Sequence, residues 1–302
     1  MRILLTGASG FVGRAVLAAL GRQSIETIAI SRTPPPIEGD FQWYGIDLLD
    51  HGAASHLMKA VQPDLVIHLA WNVEHGRFWT SPENLDWMAA TLNLAHAAKQ
   101  AGTKRFIGTG TCYEYDWPSG GACRENQTPL KPSALYGSAK DTTRQVLGKF
   151  CRVNDLSFAW ARLFFLFGPE EGEKRLVPSV AKALVAGEPA RCSSGTGVRD
   201  FMDVRDAAEA LVKLALSEVT VEVNIASGVG TSVADVAKTL GRLAATPELV
   251  HIGALADRPN EPPQIIADVT RLREEVGYQP ARGLEDGLAD ALTYWRQAGV
   301  GG

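Results

Sequence analysis

The chain has little surplus charge of either sign. Among 302 residues, 30 Lys and Arg stand against 34 Asp and Glu, a net charge of −4. That offers no basic field to a nucleic acid or an anionic membrane surface. Cysteine is sparse: four residues, at 112, 123, 151 and 192, with no C-x-x-C spacing and no histidine cluster beside them. Neither a zinc site nor a disulfide framework is expected, and a reducing compartment is the default. No apolar run approaches the length of a membrane span. A strand pattern begins at Arg2, so no signal peptide is expected, and the protein reads as cytoplasmic. Internal repeats and low-complexity tracts are missing as well. Glycine, by contrast, is plentiful, with 30 residues, which suits a fold built on glycine-rich turns.

Short apolar runs alternate with helical patterns. Strands are expected at 2–6, 25–31, 41–46, 64–71, 104–110 and 156–168. Helices are expected at 11–23 and 84–102, where apolar residues recur at i, i+3 and i+4 and the pattern ends near glycine. Apolar strands imply burial on both faces, and strand–helix alternation implies an α/β fold, a Rossmann-type doubly wound parallel sheet. After Gly168 the pattern changes to helices, proline-containing loops and short strands. VEVNIAS (221–227) is placed to return to the main sheet. The expected organisation is a dinucleotide-binding domain over 1–167, with 204–226 returning to it. A smaller, interleaved substrate lobe takes 168–203 and 227–302.

LLTGASGFVGRAV sets Gly7, Gly10 and Gly13 directly after the first strand, where a helix begins. Glycine there permits a tight turn, close backbone approach to a pyrophosphate, and close helix–strand packing. The helix N-terminus then offers free N–H groups to phosphate. An acidic residue closing the second strand would hydrogen-bond an unmodified ribose. This chain has Ser31-Arg32 instead, and an Arg grips a 2′-phosphate that an acid would repel. The cofactor expected is NADP(H). Asp47, after the third strand, is placed for the adenine end. Arg14 reads as a helix-face charge within reach of a phosphate.

SALYGSAK sets Tyr136 and Lys140 one helical turn apart on a common face, with only small residues between. An ammonium beside a phenol lowers its pKa from near ~10, making it a usable proton donor or acceptor.

TGASGFVG followed by YGSAK resembles the extended short-chain dehydrogenase/reductase (epimerase/dehydratase) family across nearly the whole chain. The resemblance implies a Ser or Thr upstream of the Tyr. GTGTCYEYD places Thr111 in that role, with Thr109 as the runner-up. It implies that Thr111 holds the substrate oxygen, Tyr136 moves its proton, and Lys140 orients the nicotinamide ribose. It also implies cofactor contacts from Ser9, Phe11 and Val12 in the first turn, from Leu48 beside Asp47, and from Leu69, Ala70 and Trp71 in the H-x-A turn after the fourth strand. His68 reads as structural. RDFMDVRD (199–206) is similar to a family signature whose first Arg contacts a diphosphate. Arg199 therefore joins Thr111 and Tyr136 as a substrate ligand, with Arg258, ten positions before Asp268, as a second. NIASG (224–228) fits the pattern of the returning strand.

Two departures narrow the reaction. Cys112-Tyr113 stands where family dehydratases carry Asp-Glu, which excludes 4,6-dehydration. Phe165 stands where a substrate-contacting Asn is usual. HLAW, GTGTCYEY and WARLF look most like nucleotide-linked 4-keto-6-deoxyhexose reductases. The expected reaction is NADPH-dependent reduction at C4 of a nucleotide-diphosphate 4-keto-6-deoxysugar. A nucleotide-sugar 4-epimerase or dehydrogenase using NAD(P) is the alternative, and a non-catalytic dinucleotide-sensing protein is a third reading. Trp71, Glu74, His75 and Trp79 are candidates to line the sugar pocket, and Cys112 reads as packing. Asn84 is a candidate for a family Asn near the cofactor. The resemblance implies that the long helices over 84–101 and 133–154 pair two copies in a homodimer bundle.

Overall fold

The structure, a computed structural model, describes residues 1–50, 52–117, 121–257 and 261–299. From the N-terminus run β1 (Arg2–Thr6), α1 (Phe11–Leu20), β2 (Glu26–Ser31), β3 (Gln42–Gly45), α2 (Ala53–Val61), β4 (Leu65–His68), α3 (Glu83–Gln100), β5 (Arg105–Thr111), α4 (Leu135–Val153) and β6 (Ser157–Leu163). There follow β7 (Phe165–Phe167), α5 (Leu176–Val185), β8 (Ala190–Arg191), β9 (Val198–Asp203), α6 (Val204–Leu216), β10 (Glu222–Ile225) and β11 (Gly230–Ser232). The chain ends with α7 (Val233–Leu243), β12 (Val250–His251), β13 (Gln264–Ile265), α8 (Thr270–Glu274) and α9 (Leu284–Gly299).

Seven strands form one parallel sheet in the order β10-β6-β5-β4-β1-β2-β3. The apolar strands are covered on both faces. Ile3 and Leu5 of β1 pack with Val16 and Leu17 of α1 and Leu211 of α6. Leu4, pointing the other way, packs with Leu57 of α2, Leu94 of α3 and Leu147 of α4. Each fully buried Leu or Ile contributes roughly 1.5–3 kcal/mol relative to exposure, so this alternation fixes the register. Strand order reverses between β1 and β4, and the carboxyl ends of those strands frame the crevice where such sheets bind ligands.

The apolar run over 156–168 does not form one strand. It breaks at Phe164, whose N–H reaches Ile225 O, and β7 leaves the main sheet to pair with β9. β9 is the centre of a second sheet, with β11 antiparallel and β13 parallel to it. β10, although it comes after β9, pairs with β6 in the main sheet, so the chain crosses between the sheets more than once. The acidic residues of RDFMDVRD hold these crossings together. Buried Asp200 accepts from the N–H groups of Ser227, Gly228 and Ala267. Asp203 caps α6 through Arg205 N, and Asp206 accepts from Tyr278 Oη and Arg282 N.

Candidate active site

Thr6 and His68 end adjacent strands, and the turns that follow them touch. Gly7 has φ +71°, and a Cβ there would lie 2.8 Å from Ala70 N. Gly13 is the closest approach of α1 to the turn, since a Cβ would run into Gly7 O. Gly10 is the N-cap and provides no side chain to the first-turn N–H groups of α1. A side chain at any of the three would fill the cradle or compete for those groups, so the turn fits a pyrophosphate. Ser9, Phe11 and Val12 lie in the same turn and first helical residues. Arg14 is spent elsewhere: its guanidinium donates to Ser9 O and Glu170 O and pairs with the Glu170 carboxylate.

At the end of β2, Ser31 donates to Thr33 O and accepts from Trp43 Nε1, so its hydroxyl is engaged within the loop. The Arg32 side chain is 70% exposed and lies 4.0 Å from Asp47, whose own carboxylate also accepts from Leu49 N. The guanidinium is thus exposed and free to meet an anion. Leu48 is buried in the core beside Ile28 and Ile30.

Thr111, Tyr136 and Lys140 converge at the carboxyl end of β5. The N-terminal turn of α4 packs on the 3-10 turn Cys112–Glu114 that follows β5. A Cβ on Gly137 would come within 2.5 Å of Tyr113 O, which explains why small residues separate Tyr136 from Lys140. Thr111 Oγ1 accepts from Tyr113 N, and Thr111 lies close enough to Tyr136 to draw its pKa down. Lys140 Nζ donates to Thr109 O at 2.9 Å and sits 3.8 Å above the Trp71 ring. Trp71 is held by a hydrogen bond from Nε1 to Asn84. The runner-up, Thr109, bonds His68 O across the sheet and takes no place beside Tyr136.

The electrostatics differ from the expectation that Lys140 acidifies the phenol. Burial raises the pKa of Tyr136 well above the ordinary value, and Thr111 pulls only partly the other way. Burial also lowers Lys140 to about 7, against the opposing pull of Glu114. Desolvation wins at both positions, so both groups are driven toward their neutral forms. His68 is lowered to about 3 by burial, then by Lys140. Thr91 Oγ1 donates to Trp87 O and so accepts from His68 Nε2, while Thr6 Oγ1 serves Nδ1. Both ring nitrogens are committed inside the core. Cys112 is buried and its thiol pushed well up by burial, in keeping with packing.

Aromatic side chains wall the space in front of Tyr136. Phe78 and Trp79 meet its ring edge-on at 4.8 and 6.0 Å. Trp79 meets Tyr113, which in turn meets Trp117 and Phe165. Of the loop residues expected near the sugar, Trp71 and Trp79 reach the cluster; Glu74 is exposed and pairs with Arg77. His75 is half-buried. Arg199 is buried on β9, with its guanidinium over Phe165 and 3.5 Å from Glu261. Arg258 lies outside the described residues.

Sequence reasoning missed three charged groups here. Arg175 stacks on Phe78 and acts electrostatically on Tyr136. Glu171 is buried beside it and raised to about 8 by burial. Glu114 forms a fully buried pair with Arg162 directly behind Thr111. Their charge, close to the quoted motifs, was the available signal, but charge alone does not say which way a side chain turns. No cluster suited to a metal ion occurs among the described residues, and none of their helices is long and apolar enough to cross a membrane.

The chain is 27% identical to a UDP-glucose 4-epimerase of Azospirillum brasilense, over 98% of this chain and 92% of the relative. It is 26% identical to a dTDP-6-deoxy-L-talose 4-dehydrogenase (NAD(P)(+)) of Kitasatospora kifunensis, over 97% and 95%. The fold matches that of the Thermus thermophilus UDP-glucose 4-epimerase in complex with NAD, with a TM-score of 0.89 at 20% identity over 99% of this chain and 100% of that one. Residues 3–226 match the family model itself. The chain belongs to the NAD dependent epimerase/dehydratase family.

Proposed function

We propose that this protein is an NAD(P)-dependent enzyme acting at C4 of a nucleotide-diphosphate sugar, with 4-epimerisation as its reaction. The observation that carries this reading is the convergence of Thr111 and Tyr136, with Lys140 one turn along α4, at the carboxyl end of β5 against a wall of aromatic rings. The relatives named as UDP-glucose 4-epimerases support epimerisation over the reduction expected from the sequence motifs. When bound, the dinucleotide supplies hydride exchange at the sugar carbon. Gly7, Gly10, Gly13 and the open first turn of α1 would hold its pyrophosphate, and Lys140 its nicotinamide ribose. Tyr136 moves the proton of the C4 oxygen, and Thr111 holds that oxygen by a hydrogen bond. The aromatic wall offers stacking to the apolar face of a sugar. Arg199, with Arg258, would take the diphosphate far from the reacting carbon, where binding energy fixes which face of the sugar is presented.

A second reading is NADPH-dependent reduction of a 4-keto-6-deoxysugar. Three observations favour it: the open Arg32 where an acid would mark NAD, the protonated character of buried Tyr136, which suits a proton donor, and the 6-deoxytalose dehydrogenase relative. The two readings separate on dinucleotide balance. With UDP-glucose and NAD, an epimerase forms UDP-galactose with no net change in NADH. With a dTDP- or GDP-4-keto-6-deoxyhexose, a reductase consumes one NADPH per product. Activity in neither assay contradicts both. The outer faces of α3 and α4 would join two copies, and sedimentation at micromolar concentration tests that.

A further inference from the structure

Glu114 is fully buried, and each of its carboxylate oxygens is placed. Oε1 accepts from Thr111 N at 2.9 Å and from Trp160 Nε1 at 3.1 Å; Oε2 accepts from Arg162 Nε at 2.6 Å. Arg162 is anchored in turn: its Nη1 donates to Tyr115 Oη, which donates to Asn224 on β10, and Asn224 N donates to Glu125. The backbone is shaped around this carboxylate. Gly110 has no room for a Cβ because Glu114 and Trp160 occupy that space. On the other side of the same strand end, Lys140 holds Thr109 O.

These contacts bear on Thr111 from two directions. Glu114 fixes its N–H, and its hydroxyl oxygen accepts from the backbone N–H groups of Tyr113 and of Glu114, the latter completing a capping box. The hydroxyl proton is left to serve Tyr136. We infer that Glu114 is a positioning residue for the reaction proposed above: its carboxylate, held by Arg162 and Trp160, sets the turn that aims the Thr111 hydroxyl at Tyr136. Its role is one of reach and hydrogen-bond geometry. The negative charge serves Arg162, and the acceptor at Oε1 serves catalysis. A buried ion pair by itself is weak evidence of a stabilising role, since apolar replacements of such pairs are often neutral.

Two variants separate reach from charge. Glu114→Asp keeps the ion pair with Arg162 and withdraws the acceptor from Thr111 N. The double variant Glu114→Gln/Arg162→Met keeps an acceptor of the right length and removes both charges. On the positioning role, Glu114→Asp loses ~10-fold or more in kcat with KM nearly unchanged, because small misplacements of reacting groups cost that much. The double variant retains kcat within ~3-fold. The assay is UDP-glucose epimerisation with NAD, or the 4-keto-6-deoxyhexose assay if the wild type is active only there. Amide hydrogen exchange at Thr111 gives a readout that needs no substrate: it accelerates in Glu114→Asp and not in the double variant. Equal kcat in wild type and Glu114→Asp, or an equal loss in both variants, overturns the inference. If the wild type turns over neither substrate, the function proposed above has failed. Thr111 exchange then decides alone, and an unchanged rate in Glu114→Asp overturns the positioning role.

Discussion

Lys140 rests its ammonium 3.8 Å above the centroid of Trp71. The ring offers a cation–π contact to a lysine that burial has brought down to about 7. A desolvated cation–π contact is worth about 2 kcal/mol, or roughly 1.5 pKa units. Trp71→Leu should lower Lys140 by ~1 unit. If the charged lysine is the active form, activity falls as pH rises through its pKa, so the alkaline limb of the kcat/KM profile moves to lower pH. An unmoved limb contradicts this use of Trp71.

Gly137 is where α4 touches the turn after β5. Gly137→Ala places a Cβ 2.5 Å from Tyr113 O and 2.9 Å from Pro132 Cβ, and neither backbone nor proline ring yields cheaply. A destabilisation of about 1–3 kcal/mol is expected, measured by thermal or urea unfolding. A fall in kcat of ~100-fold should accompany it, because the helix carrying Tyr136 moves off Thr111. Ala at the exposed Gly172, which has no positive φ and no neighbour within 4 Å, serves as the control for kcat.

His68 links stability to acid. Folded, the imidazole stays neutral down to about pH 3; unfolded, it takes a proton below its ordinary value of 6.5. The unfolded chain therefore binds the extra proton between those limits. Stability rises with pH across that window and is lost as pH falls through it. His68→Gln should flatten the slope of unfolding free energy against pH by one proton there, whatever its absolute stability. An unchanged slope contradicts the burial of an uncharged ring.

Arg32 tests the choice between the two dinucleotides. Arg32→Ala should weaken NADPH by ~10-fold or more, the loss of one charge-assisted bidentate contact, and leave NADH within a factor of two. Fluorescence titration with both cofactors measures it. Equal affinities for NADPH in wild type and variant refute a 2′-phosphate contact.

The fold was legible because its signals are local. Glycine spacing, apolar runs and i, i+4 pairing read correctly for β1, the glycine turn into α1, β5 and α4. What failed to show was set by distant packing. The run at 156–168 has uniform hydrophobicity, and only pairing with β9 tells β6 from β7. α2, which follows a left-handed Gly52, was too short to stand out. Within the site, Tyr136 and Lys140 are suggested by their i, i+4 spacing and Thr111 by the family resemblance. Their electrostatics are not, since proximity of charges is visible in sequence and burial is not. The same blindness hid Glu114: a Glu in CYEY reads as a surface charge until the turn folds it under Thr111.

The most direct test removes one oxygen. Tyr136→Phe deletes the phenolic hydroxyl and leaves the ring against Phe78 and Trp79. Turnover of UDP-glucose with NAD, or of a dTDP-4-keto-6-deoxyhexose with NADPH, should fall by ~10²–10⁴-fold with dinucleotide affinity unchanged. Wild-type rates in the variant would contradict proton transfer by Tyr136, and with it the proposed chemistry at C4.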